Sequence, residues 1–261
     1  MIDPRAGDVA EAERLFSEAE AEGVTPLPTL SAAELWVLCG TDQVLAVESE
    51  LRWWTALSDP ERENLTAAIL DLLTYRELLR PASSEYAANR PEGRARVPMA
   101  PELAMIVAAR QYPAVVAVAA DADGSADSAP RMYGLAQDGQ PTRALVGEFI
   151  SAKKPNSPRS FGPLHVSSLM SPRHAGHVLA VWATAADTRR SGSWKRSRKG
   201  KARIVDIYRH REGETLTCDR VAVAAADEQH TVTRLRPGVS PDPPAVYDQA
   251  SLASLLAGML T

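Results

Sequence analysis

The spacing of apolar residues in this 261-residue chain changes near residue 113, and this change strongly constrains the fold. Before that point, apolar residues recur at three- and four-residue intervals, as they do on one face of a helix. After it, short apolar runs such as AVVAVAA and RALVGEFI alternate with turn segments such as DADGSADSAP and QDGQP. Short runs bounded by turn residues are typical of antiparallel strands. The sequence therefore predicts an α+β fold, with helices early in the chain and a sheet late.

The first 30 residues are predicted to lie outside the main domain. Residues 8–22, DVAEAERLFSEAEAE, are acidic and rich in alanine, so their helix propensity is high. Their apolar stripe is thin, which is typical of a helix that buries little surface. We therefore expect a peripheral acidic helix and linker over residues 1–30, followed by a single α+β domain over residues 31–261.

Two helix starts are marked by capping boxes, in which a serine and a glutamate three residues later satisfy free N–H groups of the first turn. Ser31 with Glu34 and Ser58 with Glu61 both have this spacing. The second pair begins a helix predicted over residues 58–79. Its apolar face is predicted to consist of Leu65, Ile69, Leu72, Leu73 and Leu79. A further helix is expected at residues 100–111, where Pro101 occupies the favoured first helical position.

The order of predicted elements is repeated after residue 113. Strands are expected at residues 114–120, 131–137, 143–150 and 164–170, and a helix at 171–186. Strands are expected again at residues 202–210, 214–225 and 230–235, and a leucine-striped helix at 248–260. The two sets have no obvious sequence identity, so the repeat is inferred from element order alone. This order predicts two similar halves that share one antiparallel sheet, with helices packed on it.

A basic segment, TRRSGSWKRSRKGKAR at residues 188–203, separates the two halves. It holds eight of the 29 Lys and Arg residues and no acid, although the chain has a net charge of −4. Like charges mixed with Ser and Gly predict an extended, mobile loop. Three interpretations remain open: a solvated loop, a dock for an acidic protein surface, or a phosphate contact with a stacking tryptophan. The candidate partner-binding residues are Arg189, Arg190, Trp194, Lys195, Arg196, Arg198, Lys199 and Lys201.

No catalytic motif is recognisable in the sequence. It lacks a glycine-rich phosphate loop and a G-x-S-x-G elbow. His174 and His177 are three residues apart, but no Cys, Asp or Glu nearby completes a set of metal ligands, and His165 would reach them only if its strand folded back beside the helix. Cys39 and Cys218 lie in apolar segments, which is typical of buried reduced thiols. We therefore expect no enzyme activity, no catalytic residue, no metal and no cofactor.

Membrane targeting is not predicted for any part of the chain. The acidic N-terminus lacks the basic and apolar regions of a signal peptide. No apolar run approaches the roughly 18 residues that a membrane span requires. We expect a cytoplasmic protein without a membrane partner. Its apolar share is rich in Ala and Val, a usage typical of GC-rich genomes such as those of actinobacteria.

Trp53 and Trp54 stand out because aromatic residues are only 5% of the chain. They are predicted to lie between two helices. An exposed pair could anchor a protein partner. We favour the alternative, in which they belong to a loop that caps the helical core.

Three segments together resemble the EspG family of type VII (ESX) secretion chaperones. The first two are LSDPERENLTAAILDLLTYRELLRP and MAPELAMIVAARQYPAVVAVAA, which contain a helix of the form E-R-x-x-L…L-x-x-x-x-L-L and a Pro-Glu-Leu helix start. The third is ARIVDIYRHREGETLTCDRVAVAAADEQHTVTRL, which is followed by a leucine-striped terminal helix. The resemblance extends in order over residues 30–260.

This resemblance implies a cytosolic, non-enzymatic adaptor with a pseudo-two-fold α+β fold that holds the apolar tip of a helical protein client. The alternative is a regulatory protein that binds nucleic acid, because the helix at 58–79 followed by strands also fits a winged helix. The acidic net charge of −4 favours the protein client. The oligomeric state is left open.

Replacement of Arg196, Arg198, Lys199 and Lys201 by Ser should leave the melting temperature nearly unchanged, because solvated charges contribute little to folding. Association with an anionic partner should be slower, and added salt should mimic the substitution, since exposed charges are screened beyond about 10 Å at 0.1 M salt. Differential scanning fluorimetry and stopped-flow binding measure the two effects. A clear loss of melting temperature would show that the segment belongs to the packed fold.

Overall fold

One antiparallel sheet of ten strands organises the computed structural model, which describes residues 6–79, 99–121, 129–135, 142–151, 162–185, 202–209, 216–225 and 229–261. The order across the sheet is β1-β6-β5-β4-β3-β7-β8-β9-β10, and β2 pairs with β6 beside β1. The strands are β1 (Val24–Pro26), β2 (Leu30–Ser31), β3 (Pro113–Asp121), β4 (Arg131–Leu135), β5 (Leu145–Ser151), β6 (Leu164–Met170), β7 (Ala202–Arg209), β8 (Thr217–Ala225), β9 (His230–Leu235) and β10 (Ala245–Tyr247).

Helices cover both faces of this sheet to different extents. They are α1 (Ala6–Glu22), α2 (Ala32–Cys39), α3 (Glu48–Ala56), α4 (Asp59–Tyr75), α5 (Pro101–Gln111), α6 (Pro172–Thr184) and α7 (Gln249–Gly258), with a 3-10 turn at Gly40–Asp42. In the ranges that the structure describes, none of these helices combines the length and apolar character needed to cross a membrane.

The sheet consists of two similar halves joined by β3 and β7. In the first half β3, β4, β5 and β6 pair in sequence order and lead into α6; in the second, β7, β8, β9 and β10 do the same and lead into α7. β3 and β7 pair antiparallel, with Val118 opposite Asp206 at the middle of their ladder. The predicted α+β fold with two pseudo-repeated halves is therefore confirmed.

The two C-terminal helices of the halves, α6 and α7, pack against each other on one sheet face. Their contact is close because Gly176 of α6 has no side chain. A Cβ atom at this position would lie 2.5 Å from the carbonyl oxygen of Ala253 and 2.6 Å from the amide nitrogen of Ala257 on α7. Under the helices, Val205, Ile207, Val221 and Val223 point into a buried core.

Two arginines on β7 bind the C-terminal ends of these helices. The Arg203 guanidinium donates a hydrogen bond to the carbonyl of Trp182 on α6 and lies 4.8 Å from the Trp182 ring centroid. The Arg209 guanidinium donates to the carbonyl of Met259, just beyond α7. Carbonyl groups at helix ends lack internal partners, so these two contacts fix both helices to the central strand.

Helices α1 to α5 form a second layer on the opposite face of the first half. The capping boxes of Ser31 with Glu34 and Ser58 with Glu61 are present as predicted. Helix α4 ends at Tyr75, four residues before the predicted end, and Glu77 adopts a positive φ of 60° in the turn that follows. Ile69, Leu73 and Leu79 are buried, but Leu72 is 37% exposed. Leu72 was therefore wrongly predicted to belong to the buried face of α4.

The N-terminal segment is more closely joined to the domain than its thin apolar stripe predicted. Leu15 and Ala19 of α1 are buried in the core of the helical layer. Arg143 holds the outer side of α1 through ion pairs with Glu13 at 3.3 Å and Glu20 at 3.0 Å. Residues expected to form a linker instead contribute β1 and β2, which extend the sheet beyond β6.

Three further details differ from the sequence prediction. Trp53 and Trp54 lie on α3 and not in a loop. The strands β1, β2 and β10 were not predicted, since each is only two or three residues long and lies at a sheet edge. Cys39 and Cys218 are free thiols; Cys39 is buried as expected, whereas Cys218 is only half-buried.

The close contact of α6 and α7 generates a stability prediction. Gly176→Ala should lower the free energy of unfolding by about 1–3 kcal/mol, because its Cβ would overlap backbone atoms of α7 that cannot rotate away. Gly258→Ala is the matched control, since a Cβ there meets nothing within 4 Å, and alanine favours a helix. Urea denaturation measures both. Equal effects of the two substitutions would contradict close packing of α6 on α7 at Gly176.

Candidate functional site

A buried charge network lies between the sheet and the helical layer. We use this name for Gln43, Glu50, Arg110, Arg131, Glu148 and His165. Arg110 and Glu148 are each only 1% exposed, and His165 is not exposed at all. Burial of several ionisable groups in one place is rare unless they are paired, so their geometry decides what they do.

Arg110 and Glu148 form the centre of the network. Arg110 is on α5 and donates a hydrogen bond through Nη1 to Glu148 Oε2 on β5. Its Nη2 donates to Gln43 Oε1 at 2.6 Å, and its backbone carbonyl accepts from the Val44 amide at 2.8 Å. Arg110 therefore connects α5, the sheet and the loop after α2.

His165 on β6 lies between two carboxylates. Its Nε2 is 3.0 Å from Glu50 Oε1 on α3, and its Nδ1 is 3.1 Å from Glu148 Oε1. The Nε2 contact has the geometry of a hydrogen bond, whereas the Nδ1 contact is an ion-pair distance without that alignment. With an acceptor oxygen beside each ring nitrogen, the arrangement favours the doubly protonated imidazolium.

The ionisation of Glu148 follows from these neighbours. Burial alone would raise the pKa of Glu148, but the charge of Arg110 and the contact with His165 lower it to about 2. Arg131 of β4, 3.6 Å from Glu148 Oε1, acts in the same direction. The carboxylate is therefore charged across the physiological pH range.

These groups are suited to holding the layers together and poorly suited to chemistry on a substrate. The network is enclosed, and burial raises the pKa of the nearby Cys39 thiol to about 11, which leaves it protonated near neutral pH. Across the described ranges, no group of three or more His, Cys, Asp and Glu side chains could hold a metal ion. A buried network of paired charges of this kind fixes the positions of the helices and strands that carry it.

Sequence reasoning missed this network because its members lie far apart in the chain. Arg110 ends an apolar helix, and Glu148 and His165 interrupt the apolar strands LVGEFIS and LHVSSLM. An ionisable residue on the buried side of an apolar strand is the signal that was present. Its partners could be identified only from the register that places β4, β5 and β6 side by side.

The other two histidines of the possible metal-ligand set lie outside the buried charge network. His174 and His177 are in the first turns of α6, with ring centroids 6.4 Å apart. The amide of His174 donates to the Ser171 hydroxyl, which caps α6. Neither residue contacts His165 in the described geometry, so the two features are separate.

The predicted basic site lies outside the described residues. This applies to all of its members, Arg189, Arg190, Trp194, Lys195, Arg196, Arg198, Lys199 and Lys201. Arg203, the last residue of that stretch, is on β7 and has the structural role given above. Ala202 begins β7, so the basic segment joins the sheet at this end of the central strand.

A second candidate site is the open face, the side of β7–β10 opposite α6 and α7. The buried residues Val205, Val221 and Val223 point towards the helices, so by strand alternation their neighbours point the other way. Tyr208 lies on this side but packs against the core of the helical layer. The side chains that define the open face are Ala202, Ile204, Asp206, Cys218, Arg220, Ala222, Ala224, Thr231, Thr233, Leu235 and Val246. Every one of them is half-buried or exposed. Within the described ranges, the second half of the sheet therefore presents one side to solvent.

The composition of the open face is apolar and small, with one ion pair. Ala222, Ala224 and Thr233 present little bulk, and Val246 at the β10 edge is 63% exposed. Arg220 donates to both carboxylate oxygens of Asp206 at 2.6 and 2.8 Å. An apolar sheet face with an ion pair can accept a helix.

The tryptophan pair does not form a single exposed anchor. Trp54 stacks on the buried Trp36 with ring centroids 6.0 Å apart and an interplanar angle of 17°. Trp53 points outward and is 38% exposed. One member therefore caps the helical core, and the other is at the surface of α3.

Comparisons with known proteins add no assignment to this geometry. No family model matches the chain, and no curated protein matches it. The functional interpretation therefore depends on the open face and on the residues around it.

Glu148→Gln should lower the free energy of unfolding by about 3–5 kcal/mol, because Arg110 would remain buried with its charge uncompensated. Glu13→Gln is the matched control. It removes a carboxylate from an exposed ion pair with Arg143 and should cost no more than about 1 kcal/mol. Urea denaturation at neutral pH measures both, and similar costs would contradict a central role for Glu148.

The same pair predicts a pH dependence. The pKa of Glu148 is lowered in the folded protein, so its stabilising effect is present above 4.5, the ordinary value, and is lost as pH falls towards about 2. The difference in unfolding free energy between the wild type and Glu148→Gln should shrink across this interval. Urea denaturation from about pH 6 to pH 2.5 tests it. A constant difference would show that the Glu148 charge is not the cause.

Proposed function

We propose that this protein is a non-enzymatic cytoplasmic chaperone or adaptor, similar to the EspG family, that binds a helical protein client on the open face. The observation that carries the proposal is that, among the residues that the structure describes, half of the ten-stranded sheet has helices on one side only. A sheet face that carries apolar side chains lowers its free energy when another element covers it.

The shape of the open face favours a helix as that element. Small side chains at Ala222, Ala224 and Thr233 leave a strip without bulky groups along β8 and β9. Ile204 and Leu235 flank the strip on the neighbouring positions of β7 and β9. An amphipathic client helix can place its apolar stripe on such a strip, as in other cases of helix-in-groove recognition.

The ion pair on the open face supplies selectivity. Asp206 and Arg220 satisfy each other in the free protein, so a client that covers them must match both charges or lose affinity. We infer that the client carries a polar residue at the middle of its otherwise apolar contact stripe. The basic segment, which joins β7 at Ala202, would steer an acidic client towards the same half of the sheet.

The resemblance described above supports the same proposal independently. It implied a pseudo-two-fold α+β fold, and the observed sheet has this organisation. It also implied a helical client held by a groove. The client's identity and a role in type VII secretion are part of the proposal and rest on the resemblance.

Ala224→Arg combined with Thr233→Arg should abolish client binding, because two long charged side chains would stand on the strip. Val181→Arg is the matched control, since Val181 is exposed on α6, on the other side of the sheet. Tagged wild type and both variants are used to capture partners from a lysate of the source organism. Captured proteins are identified by quantitative mass spectrometry and then purified for calorimetry.

The expected outcome is one predominantly helical client that the wild type and the control bind equally, with affinity at least about tenfold weaker for the open-face variant. Equal binding by all three would refute the open face as the site. Enrichment of nucleic acid in place of a protein, lost when the basic segment is neutralised, would favour the alternative function.

A further inference from the structure

Helix α3 is attached to the fold in an unusual way. From Val44 to Pro60, the only buried residue is Glu50, an acid. A surface helix is ordinarily fixed by an apolar stripe. On α3, the apolar contribution is limited to half-buried residues, of which Trp54 stacks on Trp36. The position of α3 therefore depends strongly on the environment of one carboxylate.

That environment is His165. Glu50 Oε1 is 3.0 Å from His165 Nε2, and both side chains are almost completely buried. A carboxylate removed from water is costly unless a positive charge or strong donor compensates it. The contact is favourable when His165 carries both of its protons, because its other nitrogen faces Glu148.

Loss of the proton would reverse this balance. A neutral imidazole has one N–H and one lone pair, so it can donate to only one of the two carboxylates. The lone pair on the second ring nitrogen would then face an oxygen of the other carboxylate at about 3 Å. Glu148 is also compensated by Arg110, whereas Glu50 has no cation other than His165 within the ion-pair distances of the described residues. Deprotonation therefore leaves Glu50 buried without a compensating cation, even where Nε2 keeps its proton and the aligned hydrogen bond.

The chain on either side of α3 permits movement of the helix. Val47, the residue before α3, is extended with φ −75° and ψ 123°, and no side chain caps the helix there. At the other end, Leu57 and Ser58 are extended before α4 begins. Extended residues at the ends of an element are the usual places where a hinge absorbs a change in φ and ψ.

We propose that α3 is a latch closed by the His165 imidazolium: while His165 is protonated α3 stays docked through Glu50, and when the proton leaves α3 swings away from the sheet between Val47 and Ser58. The movement would uncover the indole of Trp36 and the rim of the buried charge network. It does not depend on the proposed function, because it concerns the opposite half of the sheet.

Several charged and titratable groups surround the latch. Those that face it from the elements packed against it are Glu50 on α3, Arg110 on α5, Arg131 and Tyr133 on β4, Glu148 on β5 and Cys39 on α2. Burial keeps the phenol of Tyr133 and the thiol of Cys39 protonated, since it raises the pKa of each. The proton that controls the contact with Glu50 is therefore that of His165.

The direction of the pH effect follows from the same contacts. Burial alone would lower the pKa of His165, but its contacts with Glu148 and Glu50 raise it above the ordinary value of 6.5. A group whose pKa is raised in the docked state stabilises that state fully at pH values below its ordinary pKa. The stabilisation is lost as pH rises through the raised value. The latch therefore closes at low pH and opens at high pH.

Hydrogen exchange of the full-length protein measures the latch directly. Millisecond pulse labelling from about pH 6 to pH 9.5, corrected for intrinsic exchange rates, gives protection factors for α3 and for α6 in the same sample. Protection of α3 should fall as pH rises, by up to about tenfold for each factor of ten by which docking strengthens proton binding to His165. Protection of α6 should stay constant.

Two variants complete the test. In His165→Gln, protection of α3 should be low at every pH, as it is in the deprotonated wild type. In Glu50→Gln, protection of α3 should not depend on pH, because an uncharged amide does not require an imidazolium. Constant protection of α3 in the wild type would overturn the proposal. A parallel fall in α3 and α6 would also overturn it, since that result indicates global unfolding. If either variant fails to fold, the wild-type series decides.

Discussion

The antiparallel pairing of β3 with β7 is the interaction on which the rest of the structure depends. It joins two four-stranded meanders into one sheet and places Val118 opposite Asp206 at the centre. It also brings α6 and α7 together, because each helix follows the last strand of its half, and β7 supplies the arginines that bind both helix ends. Since strands are paired across the junction, neither half can shift without breaking main-chain hydrogen bonds.

The two halves use equivalent positions for different purposes. Arg131 lies beside Val118 on β4, and Arg220 lies beside Asp206 on β8. In the first half, β5 lies next to Arg131 and supplies Glu148. The helical layer buries these two residues together with Arg110 and His165. In the second half the corresponding neighbour is Leu235, and Arg220 pairs with Asp206 in the open. The buried charges fix helices over one half, while within the described ranges the same face of the other half carries no helix.

The sequence was sufficient for the architecture but not for either candidate site. Local signals predicted most helices and long strands, because capping boxes, proline at a helix start and apolar periods act over a few residues. The edge strands β1, β2 and β10 carry too few residues for a period to be visible. The network joins Glu50, Arg110, Glu148 and His165, of which Glu50 and His165 are more than 100 residues apart in the chain. No local pattern encodes contacts over such a separation. The open face can be recognised only when it is known which helices cover each strand. Local sequence patterns do not give this information.

Site-specific photocrosslinking tests the central claim, that a helical client binds the open face, most directly. A benzophenone amino acid is placed at Thr231, on the open face, or at Val181, on α6, and the protein is irradiated in cells of the source organism. Mass spectrometry then identifies the crosslinked peptides. We predict that Thr231 crosslinks to one helical segment of a single protein and that Val181 does not. Crosslinks from Val181 alone, or none from Thr231, would contradict the account.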